Sequence, residues 1–331
     1  MDVSTILLHV LKYLCRLYCA NGNHVKIKRS YCLKCYWICK LCQSKSYHLS
    51  YYYTDQKTSL CIHHFISSHI YLVHYWRAQQ LTLFNTLTNN KSTITIDKHI
   101  DTFAESIAFF QRIFVIGGAY PDGNDDTFEI AWKSKNTITK MNMLAKKCFH
   151  SLCCDISYIY TIGGYSSAIL NDAQKYSVAQ NKWIKLPDLQ SCRWCSAVFV
   201  FNKDIYAIGG YGANSIDVSV EKINPINDLS WQYIKLDGSF TPRYMAHGIE
   251  VNSKQVLLFG GNSTETKIEC NLLTICSNIS SKRVANLMEG GEFYCSAAPI
   301  CDGESVYAID LNRNIHRYSL KKGSWTIIHD T

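Results

Sequence analysis

The residues whose types and spacing best suit them to chemistry are Cys32, Cys35, Cys39 and Cys42, written as two Cys-x-x-Cys pairs in tandem. A Cys-x-x-Cys sets two thiolates on one tight turn, and two such pairs complete the tetrahedral donor set of a structural zinc site. His24 precedes the pairs, and His48, Cys61 and His64 follow as further donors. Lys26, Lys28, Arg29, Lys34 and Lys40 surround the thiols, and nearby positive charge favours the thiolate that a metal binds. The expected cofactor is therefore a structural zinc, and a degenerate segment that binds no metal is the alternative. Disulfide exchange by Cys-x-x-Cys calls for a βαβ setting, which the flanking sequence does not write.

Other chemistry is hard to find. There is no Gly-x-Ser-x-Gly elbow, no Gly-x-x-x-x-Gly-Lys-Ser/Thr loop and no His-Glu-x-x-His, so the usual signatures of a hydrolase, a nucleotide phosphatase and a zinc peptidase are missing. Lys and Arg total 34 against 26 Asp and Glu, a net charge of +8. Without a cluster this is not a nucleic-acid signature. Many of the 16 cysteines, including Cys153, Cys154, Cys195, Cys270, Cys276, Cys295 and Cys301, sit in strand-like positions, where a thiol serves as a small hydrophobe. Between Ser4 and Cys19 a helical apolar stripe is broken by Lys12 and Arg16, and Asp2 makes the start acidic. That pattern is neither a secretory signal nor a bilayer span, so a cytoplasmic location without membrane contact is expected. The Asn-x-Ser/Thr triplets at Asn90, Asn262 and Asn278 are then read as chance.

The elements that must position any site come from a repeat. Ile113–Gly118, Ile159–Gly164, Ile205–Gly210 and Val256–Gly261 each write an apolar run ending in two glycines, and Val306–Asp310 is a copy without them. Measured at Gly117, Gly163, Gly209, Gly260 and Asp310, the steps are 46, 46, 51 and 50 residues. Short, largely β-branched or aromatic runs suit strands buried on both faces, and a period of this length marks a propeller or similar array. Gly118, Gly164, Gly210 and Gly261 complete the pairs. Behind them stand Tyr176 and Trp183, then Trp231, then Tyr318 and Trp325, with a step of seven in both Tyr-to-Trp pairs. Arg193 and Arg243 open the segments that follow.

Four apolar residues, Gly-Gly, a Tyr, a spaced Trp and an Arg before the next strand resemble the kelch repeat, over about two thirds of the chain. The resemblance implies an all-β, kelch-type propeller over residues 58–331. Second strands are expected near Tyr71, Phe114, Tyr160, Tyr206, Leu257 and Tyr307, hence six blades of four antiparallel strands, with residues around Thr58–His64 supplying the first inner strand. Residues 1–57 form a separate Cys/His-rich segment that resembles a B-box-like zinc module, although only three residues separate its Cys-x-x-Cys pairs and its histidines are displaced.

In such a fold, function belongs to the loops at one end. The candidate binding residues are Tyr165, Arg193, Tyr211, Arg243 and Tyr244, since Arg and Tyr are common interface anchors and the guanidinium fork suits a carboxylate. The expected partner is a protein or an acidic peptide, and the alternative for Arg193 and Arg243 is that they tie blades together. The chain is expected to be a non-catalytic interaction module or adaptor. Other readings are a zinc-bearing ubiquitin-ligase subunit or substrate adaptor, and a galactose-oxidase-like copper enzyme or extracellular sugar-binding propeller. The histidines the copper reading would need, His150, His247 and His316, are sparse.

Overall fold

The apolar runs that precede the glycine pairs are strands whose two faces are both covered. The computed structural model describes residues 71–329 apart from 76–77, 87, 110–111, 132–135, 239, 242, 264–269, 286–297, 311 and 313. Within these residues the chain forms 24 strands in six sheets. The candidate zinc ligands, His24, Cys32, Cys35, Cys39, Cys42, His48, Cys61 and His64, lie outside the described residues.

The opening sheet is β1 (Tyr71–Tyr75), β2 (Ala78–Asn85) and β3 (Asn90–Ile100), in that order. The first four-stranded blade is β4 (Glu105–Phe109), β5 (Arg112–Ile116), β6 (Thr127–Ala131) and β7 (Asn136–Thr139). The second is β8 (Ser151–Cys154), β9 (Tyr158–Ile162), β10 (Ala173–Ser177) and β11 (Lys182–Lys185). The third is β12 (Ala197–Phe201), β13 (Asp204–Ile208), β14 (Val220–Ile223) and β15 (Gln232–Tyr233). Next, β16 (Leu236–Gly238) crosses over and pairs in parallel with the outer strand of the fourth blade, β17 (Tyr244–Asn252), β18 (Gln255–Asn262), β19 (Cys270–Ile275) and β20 (Ile279–Ala285). The fifth is β21 (Ile300–Cys301), β22 (Ser305–Ile309), β23 (Ile315–Ser319) and β24 (Ser324–His329). This is an all-β propeller.

Six buried apolar clusters account for its assembly, one at each seam between neighbouring sheets. The division of β13 shows how. Tyr206 and Ile208 face the fourth blade with Phe199, Val256 and Leu258, while Ile205 and Ala207 face the second blade with Tyr160 and Ile162. Successive side chains of a strand point to opposite faces, so a strand between two neighbours needs an unbroken apolar run. The last seam is closed by Phe84, whose ring lies 5.9 Å from Tyr307.

Two expectations are corrected here. Five blades have four or more strands, rather than six, and the remaining place in the ring is taken by the three-stranded opening sheet. Tyr71 lies in β1, which packs beside the inner strand β4 and so takes the inner position itself. The buried second strand of that sheet is β2, where Leu81, Leu83 and Phe84 are inaccessible. Apolar composition alone does not separate an inner from a second strand, and neither β1 nor β2 ends in the glycine pair that marks the other copies.

The motif aromatics bind blades from outside. Tyr176 stands opposite Trp183 across β10 and β11 with ring centroids 5.0 Å apart, and Tyr318 opposite Trp325 at 5.2 Å. The Trp183 indole N–H donates to the Met141 carbonyl at 2.9 Å, and Trp231 donates to Pro187 at 2.9 Å. Trp183 and Trp231 thus cap the connections that lead in from the preceding blades.

The glycine pairs have a steric origin. Gly163 has φ +63°, and a Cβ there would overlap the Arg193 carbonyl oxygen. Gly323 also has positive φ, +66°, but its Cβ would meet only the Tyr318 hydroxyl, at 3.7 Å. Gly323→Ala is expected to cost about 1 kcal/mol from backbone strain alone, and Gly163→Ala clearly more. Denaturant midpoints of the two variants decide this, and equal losses would show that the close approach at Gly163 is not the constraint.

Candidate functional site

The site rests on a joint that recurs at successive blades. Lys147, Arg193 and Arg243 end the connections that lead into β8, β12 and β17. Their carbonyls accept the N–H groups of Gly118, Gly164 and Gly210 in the preceding blade at 3.0, 2.9 and 2.9 Å. Their side chains turn into their own blade. Arg193 donates to the Gly209 carbonyl at 2.9 Å and to the buried Glu221 carboxylate, which also accepts the Gln190 and Ser191 N–H groups. Arg243 donates to the Gly260 carbonyl at 3.3 Å and to Asn271. Lys147 pairs with Asp172, which also takes Lys185 and the Gln174 amide. Burial works to raise the Asp172 pKa, but these donors outweigh it and hold the carboxylate below its ordinary range.

Arg193 and Arg243 are 0% and 4% exposed. Both were candidate partner-binding residues and the basis for an acidic partner. Their guanidinium groups are enclosed within the fold, as the alternative that they tie blades together requires: the planar fork that would suit a partner's carboxylate is matched by Glu221, Asn271 and the glycine carbonyls.

Above the joints the loop face carries a line of aromatic rings. Phe103 lies 4.0 Å from Phe149 and 6.1 Å from Tyr120, centroid to centroid, and Tyr120 lies 5.6 Å from Tyr165. Phe149 meets Trp194 at 4.8 Å, and Trp194 meets Tyr211 at 5.6 Å and Tyr244 at 6.1 Å. Tyr211 and Tyr244 pack edge to face at 5.7 Å. The arc therefore runs from the first blade to the fourth without a gap. It includes the candidates Tyr165, Tyr211 and Tyr244, and adds Phe103, Tyr120, Phe149 and Trp194. Trp194 was legible, since it follows Arg193 as Tyr244 follows Arg243.

Backbone geometry fixes the rings. Tyr165 and Cys148 exchange N–H···O bonds at 2.8 and 2.9 Å, and Tyr211 and Trp194 do so at 2.9 and 3.1 Å. Phe103, Phe149, Cys195 and Met245 hold φ of +58°, +53°, +50° and +60°. A backbone chain links them, Phe149 donating to Phe103, Cys195 to Phe149 and Met245 to Cys195, at 3.3, 2.9 and 2.7 Å. Non-glycine residues in this left-handed region carry strain that the surroundings must hold, and such residues cluster at functional sites.

The remaining candidate chemistry is buried or dispersed. His316 bonds to Asp310, which replaces the first glycine of the pair and also accepts both Asn314 nitrogens. His247 lies in β17 against Phe259, with ring centroids 5.6 Å apart. No group of three or more His, Cys, Asp or Glu side chains among the described residues could hold a metal ion. Burial pushes the thiols of Cys154, Cys270 and Cys301 up to about 12, so they stay protonated and pack as hydrophobes.

With this geometry in view, the chain is similar in part to kelch-repeat proteins. A model of the kelch motif matches residues 146–190, the second blade with its joint. The chain is 24% identical over 155 residues to the Kelch repeat and BTB domain-containing protein 2 of ectromelia virus (strain Moscow), covering 45% of this chain and 27% of that protein. It is 28% identical over 131 residues to Kelch repeat protein C2 of camelpox virus (strain CMS), covering 38% and 24%. Against Kelch repeat protein C2 of vaccinia virus (strain Western Reserve) the figures are 30% over 124 residues, 35% and 22%. The matched region spans about a quarter of the length of these relatives. The fold is an all-β propeller that carries a kelch motif in its second blade.

His150 generates a prediction. It is inaccessible beside Lys147 and Asp172, and neither ring nitrogen has a hydrogen-bond partner among the described residues. Burial, with a smaller contribution from the Lys147 charge, holds its pKa well below 6.5. The unfolded chain therefore takes up this proton first, and the stability that neutral His150 allows is lost as pH falls below about 6.5. His150→Leu is expected to flatten the decline of the denaturation midpoint between about pH 7 and pH 5. An unchanged slope would remove His150 as a source of acid sensitivity.

Proposed function

We propose that this chain is a non-catalytic interaction module or adaptor whose loop face receives a protein partner. The observation that carries the reading is the aromatic arc from Phe103 to Tyr244, contiguous across four blades and held on strained, hydrogen-bonded backbone. Tyrosine and tryptophan are the residues that most often anchor partners, and Phe103 and Tyr120 remain 42% and 55% exposed. The kelch-repeat character of the relatives supports the same reading.

The test compares two ends of the propeller. Affinity capture from cells is expected to recover partners with the wild-type chain and with Ile226→Ser/Leu229→Ser, at exposed positions in the turn between β14 and β15. Trp194→Ala/Tyr211→Ala is expected to lose them by about tenfold or more, with circular dichroism showing both variants folded. Capture that survives the loop-face change, or fails with the opposite-end change, overturns the reading.

A second reading, a zinc-bearing ubiquitin-ligase subunit or substrate adaptor, is favoured by the tandem Cys-x-x-Cys pairs of residues 1–57. In this proposal Cys32, Cys35, Cys39 and Cys42 hold a structural zinc, with His24, His48, Cys61 and His64 as further donors, in a cytoplasmic protein. Metal analysis of the full-length chain is expected to find about one or two zinc ions, with these thiols protected until a chelator is added. Absent zinc and freely reactive thiols would reject it.

A further inference from the structure

We propose that the loop face binds an extended cationic peptide, whose arginine or lysine side chains stack on the aromatic arc at its exposed end between Asp101 and Asp122. The proposal rests on the reading of this face as the partner site and names the partner's chemistry.

Charge complementarity carries it. The cations Lys147, Arg193 and Arg243 are drawn inward and satisfied within their blades. The carboxylates of Asp101 and Asp122, at the open end of the arc, remain exposed to solvent instead. Asp122 is exposed, and its carboxylate meets only the Ser167 hydroxyl, at 3.4 Å, among the described residues. Asp101 keeps 43% of its side chain exposed, held by the Asn124 amide at 2.6 Å with His99 at 3.7 Å. Asp125 is half-buried in the same loop. Among the described residues two cations oppose this balance. Lys98 neutralises Asp126, and Lys146 is exposed on the connection from β7 to β8. The electrostatic character of this end is thus acidic, although the whole chain carries +8.

The rings agree with the charges in sign. Phe103 and Tyr120, the most exposed members, sit in the same two loops as Asp101 and Asp122, edge to face at 6.1 Å. An aromatic face is the negative pole of the ring quadrupole, which attracts a guanidinium or ammonium and repels a carboxylate. Arginine suits such a surface best, since its weakly hydrated plane can stack on one ring and still reach a carboxylate. Successive centroids 4.0 to 6.1 Å apart across four blades keep a ring within reach of each residue or two of an extended backbone, which rises about 3.3 Å per residue. Along Phe103, Phe149, Trp194 and Tyr244 a segment of about five residues would span the arc.

The experiment measures fluorescence anisotropy of labelled peptides of about eight residues titrated with the full-length chain. Arg-Gly, Lys-Gly, Glu-Gly and Ser-Gly repeats are compared at about 50 mM and 300 mM salt. The Arg-Gly peptide is expected to bind tightest, Lys-Gly next, and Glu-Gly at least about tenfold more weakly. Tyr120→Ala is expected to weaken Arg-Gly binding by about tenfold, while Tyr120→Phe retains it. Asp122→Asn should cost about threefold and shrink the salt dependence. Both positions are exposed, so folding is not at stake. Preference for Glu-Gly, or Arg-Gly binding that ignores both substitutions, overturns the proposal. If no peptide binds while partner capture still depends on Trp194 and Tyr211, the cationic class falls and the partner face stands. If that dependence fails too, both fall.

Discussion

The ring depends on one small group, the backbone carbonyl of Lys147, Arg193 or Arg243. That oxygen accepts an N–H from the glycine pair of the blade before it, while the side chain on the same residue anchors into the blade after it. A single residue therefore fixes the distance between two sheets. The approach is so close that the first glycine of each pair has no room for a Cβ. Glycine's tolerance of positive φ makes the approach feasible, and the buried cation is held because its partners are buried with it. Removing one partner of such a pair leaves an uncompensated charge, a far larger penalty than the pair's net worth.

From that constraint the loop face follows. Because the joint residue is pinned from both sides, the residue after it emerges toward the loop end at a repeated place. There Trp194 and Tyr244 stand as equivalents. One position further on, Phe149, Cys195 and Met245 adopt the left-handed conformation and pass a hydrogen bond from blade to blade. The aromatic arc is the outward side of the device whose inward side is the chain of buried cations. A change in either would be felt in the other, which ties the geometry of the face to the stability of the ring.

Much of this was legible in the sequence, and the failures have physical causes. The strands β5, β9, β13, β18 and β22 could be read because burial on both faces demands an unbroken apolar run, and the glycine pairs recur for steric reasons that spacing alone exposes. The position of Arg193 and Arg243 was legible, but their direction was not, since an arginine fork fits Glu221 as well as it fits a partner. The arc was half seen. Tyr165, Tyr211 and Tyr244 stand in obvious motif positions, whereas Phe103 and Phe149 occupy a different place in the repeat and join the others only through packing across seams. The first sheet misled for want of glycines: β1 and β2 are both strand-like, and nothing local says which lies inward. Asp310 shows the reverse case, where the glycine is lost and a buried carboxylate with His316 and Asn314 completes the corner instead.

The crossing of β16 gives the ring an uneven stiffness. After Tyr233 the chain leaves the third blade and lies along β20, so that Leu236–Gly238 belongs by sequence to one blade and by hydrogen bonding to the next. Those two blades are dovetailed by main chain, in addition to the large apolar seam of Phe199, Tyr206, Leu258 and their neighbours. The seam of Phe84, Tyr307, Ile309 and Ile315 joins the first and last described sheets of the chain through packed apolar side chains. In the thermal breathing of the ring the dovetailed pair would therefore move as a single body.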